Sequence, residues 1–324
     1  MASPPIQLKH VDLKGGKRAA DRTFKYVTIA AAGVILLILA LIALTLVNKS
    51  TPVLREEGLS FFTERRWAPS KEVYGALSFI FGTAMTAVIA VVLAVPVSIG
   101  IALFLTDIAP RWIRGPVGIA IELLAAIPSI IYGMWGLFVF APFMAEHVQP
   151  RLTETLGGWP LIGPIFSGPP IGIGMLTAGI VLGIMIIPFI AAVARDVFNA
   201  VPAALKESAV ALGSTRWEVL SRVTLPYARS AIIGAIFLGL GRALGETMAV
   251  TFVLGNAHDL SLSLLMPSNS IAAAIANEFT EADTELYRSA LIALAFLLFV
   301  VTFIVLSVAK LLLARLNRSH GRTH

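Results

Sequence analysis

The sequence predicts an all-α, polytopic membrane protein with six transmembrane helices. Two observations carry this. The 324 residues are 57% hydrophobic and only 14% charged, a balance foreign to soluble domains of this length. The apolar residues also gather into six runs, near 26–47, 76–105, 119–145, 171–194, 230–256 and 287–312. Each exceeds the roughly 20 residues a helix needs to cross the hydrocarbon core. Six spans leave little room for a soluble domain. With no cysteine, a disulfide framework and a Cys-based zinc or redox centre are excluded. The net charge of +6 is read by position along a membrane chain, not as a nucleic-acid footprint.

Residues 1–25 form a polar, basic leader, expected to be solvated. The run 26–47 is long for a signal-peptide core and no small-residue cleavage pattern follows it, so it reads as a retained first transmembrane helix. An external loop, 48–75, follows; it is long enough for a short helix, with Trp67 and Tyr74 suited to the interface. The core of five further helices occupies 76–312, and a basic tail 313–324 ends the chain. Pro96, Pro128 and Pro188 fall inside the second, third and fourth runs. Each removes a backbone bond and kinks its helix, as ordinary membrane prolines or as shapers of a pathway. Residues 146–170 are rich in Gly and Pro and read as an irregular connection. Between 257 and 286, Ser268 or Ser270 is placed to cap a short helix. The acids Glu278, Glu281, Asp283 and Glu285 read as a solvated face, or alternatively as a docking surface. Glu122, near one end of the third run, is an interfacial carboxylate or a contact to a partner or gate.

The cations set the orientation. The leader, Arg111 and Arg114, the group Arg195, Lys206, Arg216, Arg222 and Arg229, and the tail all fall on one side. The opposite side holds fewer, and those in 48–75 are offset by Glu56, Glu57, Glu64 and Glu72. Both termini are therefore expected in the cytoplasm.

The stretch KESAVALGSTRWEVLSRVTLP, residues 206–226, is too polar to span. Lys206–Leu212 is a helix-forming run, ended by Gly213, which is free to take positive φ. Thr215 with Glu218 fits a capping box that starts a second helix. Trp217, Leu220 and Val223 share one face, and Pro226 is expected to close the segment. Such a helix pair lies on lipid or presents a knob to a soluble partner.

The fifth run holds two full charges, Arg242 and Glu246, within GLGRALGETMAVTF. Four residues apart, they are expected on one helical face. Gly241 and Gly245 repeat the spacing, and Gly-xxx-Gly lets a neighbouring helix approach closely. A mid-span charge costs about 2.5–3.5 kcal/mol on insertion scales. One reading is a mutually satisfied buried pair. The other is a wet pathway, in which the planar fork of Arg242 donates paired bonds to an oxyanion and Glu246 orients Arg242 or prevents tight trapping. The sequence has no GxxxxGK[ST], HExxH or GxSxG. No catalytic or metal-binding residue is therefore expected, and energy must come from a partner chain or an ion gradient.

The 206–226 segment resembles the EAA loop of ABC importer permeases. Glu207-Ser208-Ala209, Gly213, Val223 and Leu225-Pro226 keep the family's spacing. Ser208 stands for the first Ala and Val223 for the usual Ile. GRALGETMAVTFVLGN, together with ELLAAIPSIIYGMWGLFVFAP, is similar to phosphate-specific importer permeases of the PstC type. The likeness runs from about residue 70 through the last span and is weakest in the leader and in 146–170. The PstA-type sister permeases have a related Arg-x-x-Gly-Glu-Thr stretch with a different continuation. The resemblance implies a type I ABC importer permease in a bacterial inner membrane. It implies a PstA-type permease chain, an ATPase dimer that binds ATP and Mg, and a periplasmic or lipid-anchored phosphate-binding protein as partners. Glu207, Ala209, Gly213, Leu225 and Pro226 would contact the ATPase, and Arg242 and Glu246 would lie on the phosphate path. A permease for sulfate or molybdate is the near alternative. A gradient-driven secondary transporter is the distant one, and it would have no use for an ATPase-docking loop.

Overall fold

A computed structural model describes residues 17–320. Among them, six helical stretches are long and apolar enough to cross a membrane: Asp21–Glu56, Leu77–Ile108, Ser129–Leu156, Met175–Asn199, Arg216–Leu244 and Glu285–Arg315. The chain divides into two compact units after Asn48.

The first helix, α1 (Lys17–Glu56), begins inside the basic leader and runs nine residues past the expected span end. Its apolar side chains between Phe24 and Val47 are largely exposed, the surface a hydrocarbon solvent would cover. The leader's residues 1–16 lie outside the described residues. The segment that follows is more ordered than a loop. A short α2 (Ser60–Thr63) leads to the antiparallel strands β1 (Trp67–Ala68) and β2 (Val73–Tyr74). Trp67 and Tyr74 are buried, not interfacial. They pack edge-to-face at 5.2 Å, within a cluster that also holds Phe79, Ile271 and Leu291.

The second span is α3 (Leu77–Leu103), prolonged by a π-helical turn at Phe104–Ile108. The third run departs from expectation. Residues 119–125 belong to a separate helix, α4 (Arg111–Ala125), and Pro128 stands at the N-terminal boundary of the next helix, where its fixed φ and missing N–H cost nothing. The third span is built from α5 (Ser129–Trp135), α6 (Ala141–Phe143) and α7 (Gln149–Leu156), joined by π-helical turns.

Helix α8 (Met175–Asn199) is the axis of the main core. Met175, Ala178, Val181, Leu182, Met185, Ile186 and Ile190 are buried against Ala87, Ala90 and Ala94 of α3 and against residues of the fifth span. Small residues permit the close approach: a Cβ on Gly179 would lie 2.5 Å from the Ile89 side chain. The Ser98 hydroxyl donates to the Ile187 carbonyl at 3.1 Å, beside Pro188.

After α9 (Ala203–Ala211) and α10 (Arg216–Val219), a π-helical turn runs straight into α11 (Leu225–Leu244). Pro226 therefore does not close the segment. It sits in the first turn of α11, and the wider turn before it absorbs the missing donor. The fifth span is interrupted after Leu244 and resumes as α12 (Met248–Val253).

Residues 257–284 are largely packed, not a solvated loop. Ser270 caps α13 (Ile271–Glu278), its hydroxyl accepting from the Ala273 amide at 3.1 Å. The Ile271 amide donates to the Thr83 hydroxyl of α3 at 2.9 Å. Glu278 is buried, contrary to the solvated-face expectation, whereas Glu281, Asp283 and Glu285 are exposed in line with it. The last helix, α14 (Glu285–His320), carries the final span into the tail.

Candidate functional site

The intramembrane charges lie at the break in the fifth span. Gly245 ends α11, so Arg242 and Glu246 do not occupy one helical face. Among the described residues they form no ion pair with each other. The mutually satisfied buried pair is thereby excluded in this conformation. Arg242 is exposed on the chain's surface, its guanidinium carbon 5.9 Å from the Phe189 ring centre. That cation–π contact holds the stem and leaves the N–H fork open. Glu246 is half-buried, and its Oε1 accepts from the Ala249 amide at 3.2 Å. It serves the first turn of α12, so its charge is spent on the broken backbone. Irregular backbone at membrane depth persists only inside protein or along a wet cavity. Thus the break, the open cation and the helix-capping acid coincide.

The glycines of this span differ in their contacts. A Cβ on Gly241 would meet Leu306 at an ordinary 3.4 Å, while Gly245 would meet only the Gly241 carbonyl oxygen at 3.8 Å. The tight approach within the chain is Gly239, 2.7 Å from Ile190.

The 206–226 segment is the second feature. Gly213 has φ +88 with open space around it; a left-handed residue there turns the chain sharply between α9 and α10. The capping box is complete. The Glu218 amide donates to the Thr215 hydroxyl at 3.3 Å, and the Thr215 amide donates to Glu218 Oε2 at 2.9 Å. Glu207 is exposed and Ala209 half-buried on α9. Leu225 is half-buried and Pro226 exposed at the start of α11. Leu220 is buried, but Trp217 is 69% exposed and Leu212 88%. The shared face of Trp217, Leu220 and Val223 is thus not uniformly buried; the turn presents an apolar, charged-rimmed knob.

Two ion pairs brace this end of the molecule. Lys206 Nζ lies 2.9 Å from Asp107 Oδ1, tying α9 to the end of the second span. Arg195 of α8 pairs with Glu122 of α4. Asp107 carries no sequence signal beyond being an acid at a span's end, and its partner stands 99 residues away.

At the opposite end of the core, Glu278 gathers three elements. Its Oε2 accepts from Trp67 Nε1 at 2.8 Å and from the Tyr287 hydroxyl at 2.7 Å, and His258 Nε2 lies 2.9 Å from Oε1. Burial pushes the Glu278 carboxyl up, but the hydrogen bonds from His258, Tyr287 and Trp67 outweigh it and hold it below the ordinary carboxylate range.

Comparison with known proteins extends this picture. Residues 94–318 match a family model described as binding-protein-dependent transport system inner membrane component. The chain is 58% identical to the phosphate transport system permease protein PstC of Xylella fastidiosa, over 93% of each chain. It is 56% identical to that of Pasteurella multocida, over 92% of this chain and 93% of the relative. It is 38% identical to the probable PstC of Methanocaldococcus jannaschii, over 92% of this chain and 95% of the relative. Among solved structures, an inward-facing MetNI methionine ABC transporter chain is similar in fold, with TM-score 0.53 at 16% identity over 74% of this chain and 95% of that one. A multi-pass helical chain with these similarities belongs to the binding-protein-dependent inner membrane transport components, and among them to the PstC permeases.

Proposed function

We propose that the chain is the permease subunit of an ATP-driven inorganic phosphate importer and forms half of its translocation pathway. The observation that carries this reading is Arg242, an exposed cation at membrane depth beside a broken span, in a chain 58% identical to a phosphate transport system permease. A broken helix supplies the polar lining that a wet route needs. The open Arg242 fork suits phosphate oxygens. Glu246, engaged with the α12 backbone, keeps the site from becoming a purely cationic trap; rapid passage needs weak binding.

A second permease chain of the PstA type completes the pathway, and an external phosphate-binding protein delivers the anion. Energy enters through an ATPase dimer, which binds ATP and Mg and docks on the α9–α10 knob. Glu207, Ala209 and Gly213 form the contact, and Leu225 and Pro226 carry movement into α11. Both termini are cytoplasmic. The continuity of α10, the π-helical turn and α11 supports this coupling, since motion at the knob passes along one helix towards Arg242.

The test is reconstitution of the chain with its permease partner, ATPase and binding protein in liposomes. Phosphate is expected to stimulate ATP hydrolysis where sulfate and molybdate do not. Arg242→Gln is expected to abolish uptake while the complex still assembles. Loss of assembly in this variant, or anion movement driven by an ion gradient without ATP, would overturn the assignment.

A further inference from the structure

At the α9–α10 end of the molecule lies a cleft of about 530 Å³. Arg111 and Arg114 line it from α4, Lys206 from α9 and Arg216 from α10, and Asp107 is the single acid on its wall. That acid is already engaged by Lys206 at 2.9 Å. Arg114 donates through Nε to the Ala109 carbonyl at 2.7 Å, which fixes its direction and leaves its terminal nitrogens. Among the described residues, neither Arg111 nor Arg216 has an ion-pair partner. Three arginines from two helices thus line one cleft whose single acid is already engaged. Planar forks lining a cleft from two sides match a tetrahedral oxyanion.

Helix α4, 15 residues long, is too short to cross a bilayer. Its apolar side chains are nonetheless exposed: Trp112 is 77% exposed, Ile119 60% and Leu123 65%. A short helix with an exposed apolar face, a Trp and terminal arginines lies at the level of lipid headgroups. Basic pockets at helix ends on that level take phosphate-bearing headgroups.

We propose that this cleft binds a phosphate group, which bridges Arg111 and Arg114 of α4 to Arg216 of α10 and staples the knob to α4. The favoured source is the headgroup of an anionic phospholipid; free inorganic phosphate offers the same oxygens. The site is separate from Arg242, which lies at the other end of α11, and does not depend on what the pathway carries.

The experiment is native mass spectrometry of the full chain in maltoside micelles, titrated with phosphatidylglycerol or phosphatidylethanolamine. Equilibrium dialysis of radiolabelled orthophosphate is run in parallel on Arg242→Gln. Phosphatidylglycerol is expected to bind in preference to phosphatidylethanolamine. Binding should fall about fivefold for each of Arg111→Gln and Arg216→Gln and fall less in Arg216→Lys, which keeps the charge without the paired donors. Saturable orthophosphate binding that survives Arg242→Gln but is lost with Arg216→Gln would support the site and assign it to the free anion. Unchanged binding of both probes in the folded Arg111→Gln/Arg216→Gln chain would overturn the proposal, as would absence of binding in the wild type. Should the double variant misfold, the contrast of Arg216→Gln with Arg216→Lys decides the matter.

Discussion

Arg242 and Glu246 differ in what each does with its charge. Glu246 accepts a backbone amide of α12, whereas Arg242 rests over Phe189 with its donors open. Arg242→Lys is therefore expected to retain partial phosphate uptake, as a point charge without the paired donors. Phe189→Leu should reduce uptake several-fold by freeing the arginine stem, a loss near the 1 kcal/mol of an ordinary cation–π contact. Initial rates in proteoliposomes separate the two. Glu278 is a different case, a buried carboxylate with three donors. Glu278→Ala strands those donors and should cost about 2–4 kcal/mol, read as a lowered Tm by circular dichroism. Because its folded pKa is depressed, its stabilisation is present above the unfolded carboxylate value of about 4.3. It is lost as pH falls through the lower folded value. Glu278→Gln should be less stable at neutral pH and show a flatter acid limb.

At the level of elements, much of the architecture was legible and the breaks were not. Composition and run length give the number of spans, and place the second, fourth and sixth closely, since burying apolar side chains in lipid is a long, uniform signal; the third and fifth are displaced by about ten residues or more. Local chemistry was equally readable: Gly213 takes its positive φ and the Thr215–Glu218 box forms. The division of the third run at Pro128 and of the fifth after Leu244 escaped, because Pro128 reads equally as a kink within one helix and Gly245 as a packing glycine. Nor does spacing reveal that Lys206 finds Asp107, or that Glu278 is buried by Trp67 and Tyr287. Those are tertiary facts joining distant segments. Two element-scale outcomes follow. Gly82 of α3 faces the Asn269 backbone at the approach to α13, so a Cβ there would be driven into the Asn269 carbonyl oxygen. Gly82→Ala should lower the Tm sharply, because backbone rather than a flexible side chain must move. Asp107→Ala, by contrast, should leave the Tm nearly unchanged, as partly exposed ion pairs contribute little. It should loosen α9 and weaken ATPase retention on co-purification.

At the scale of the whole chain, most cations lie on segments expected on one side of the membrane, and this asymmetry underlies the proposed orientation. The absence of cysteine makes that orientation directly measurable. Ser214→Cys, at the knob, should react with an impermeant maleimide only in inverted vesicles. Ser70→Cys, exposed beside β1, should react only in intact cells or spheroplasts. The reverse pattern would invert the molecule and remove the knob from the ATPase side.

The Trp67–Glu278 contact also gives the protein an optical channel. Of the five tryptophans, Trp67 is 5% exposed, whereas Trp112, Trp135, Trp159 and Trp217 are 40% exposed or more. With those four replaced by phenylalanine, the remaining indole, hydrogen-bonded to a carboxylate, becomes a single fluorophore. Its emission would report whether β1, α13 and α14 stay clasped while the pathway turns over.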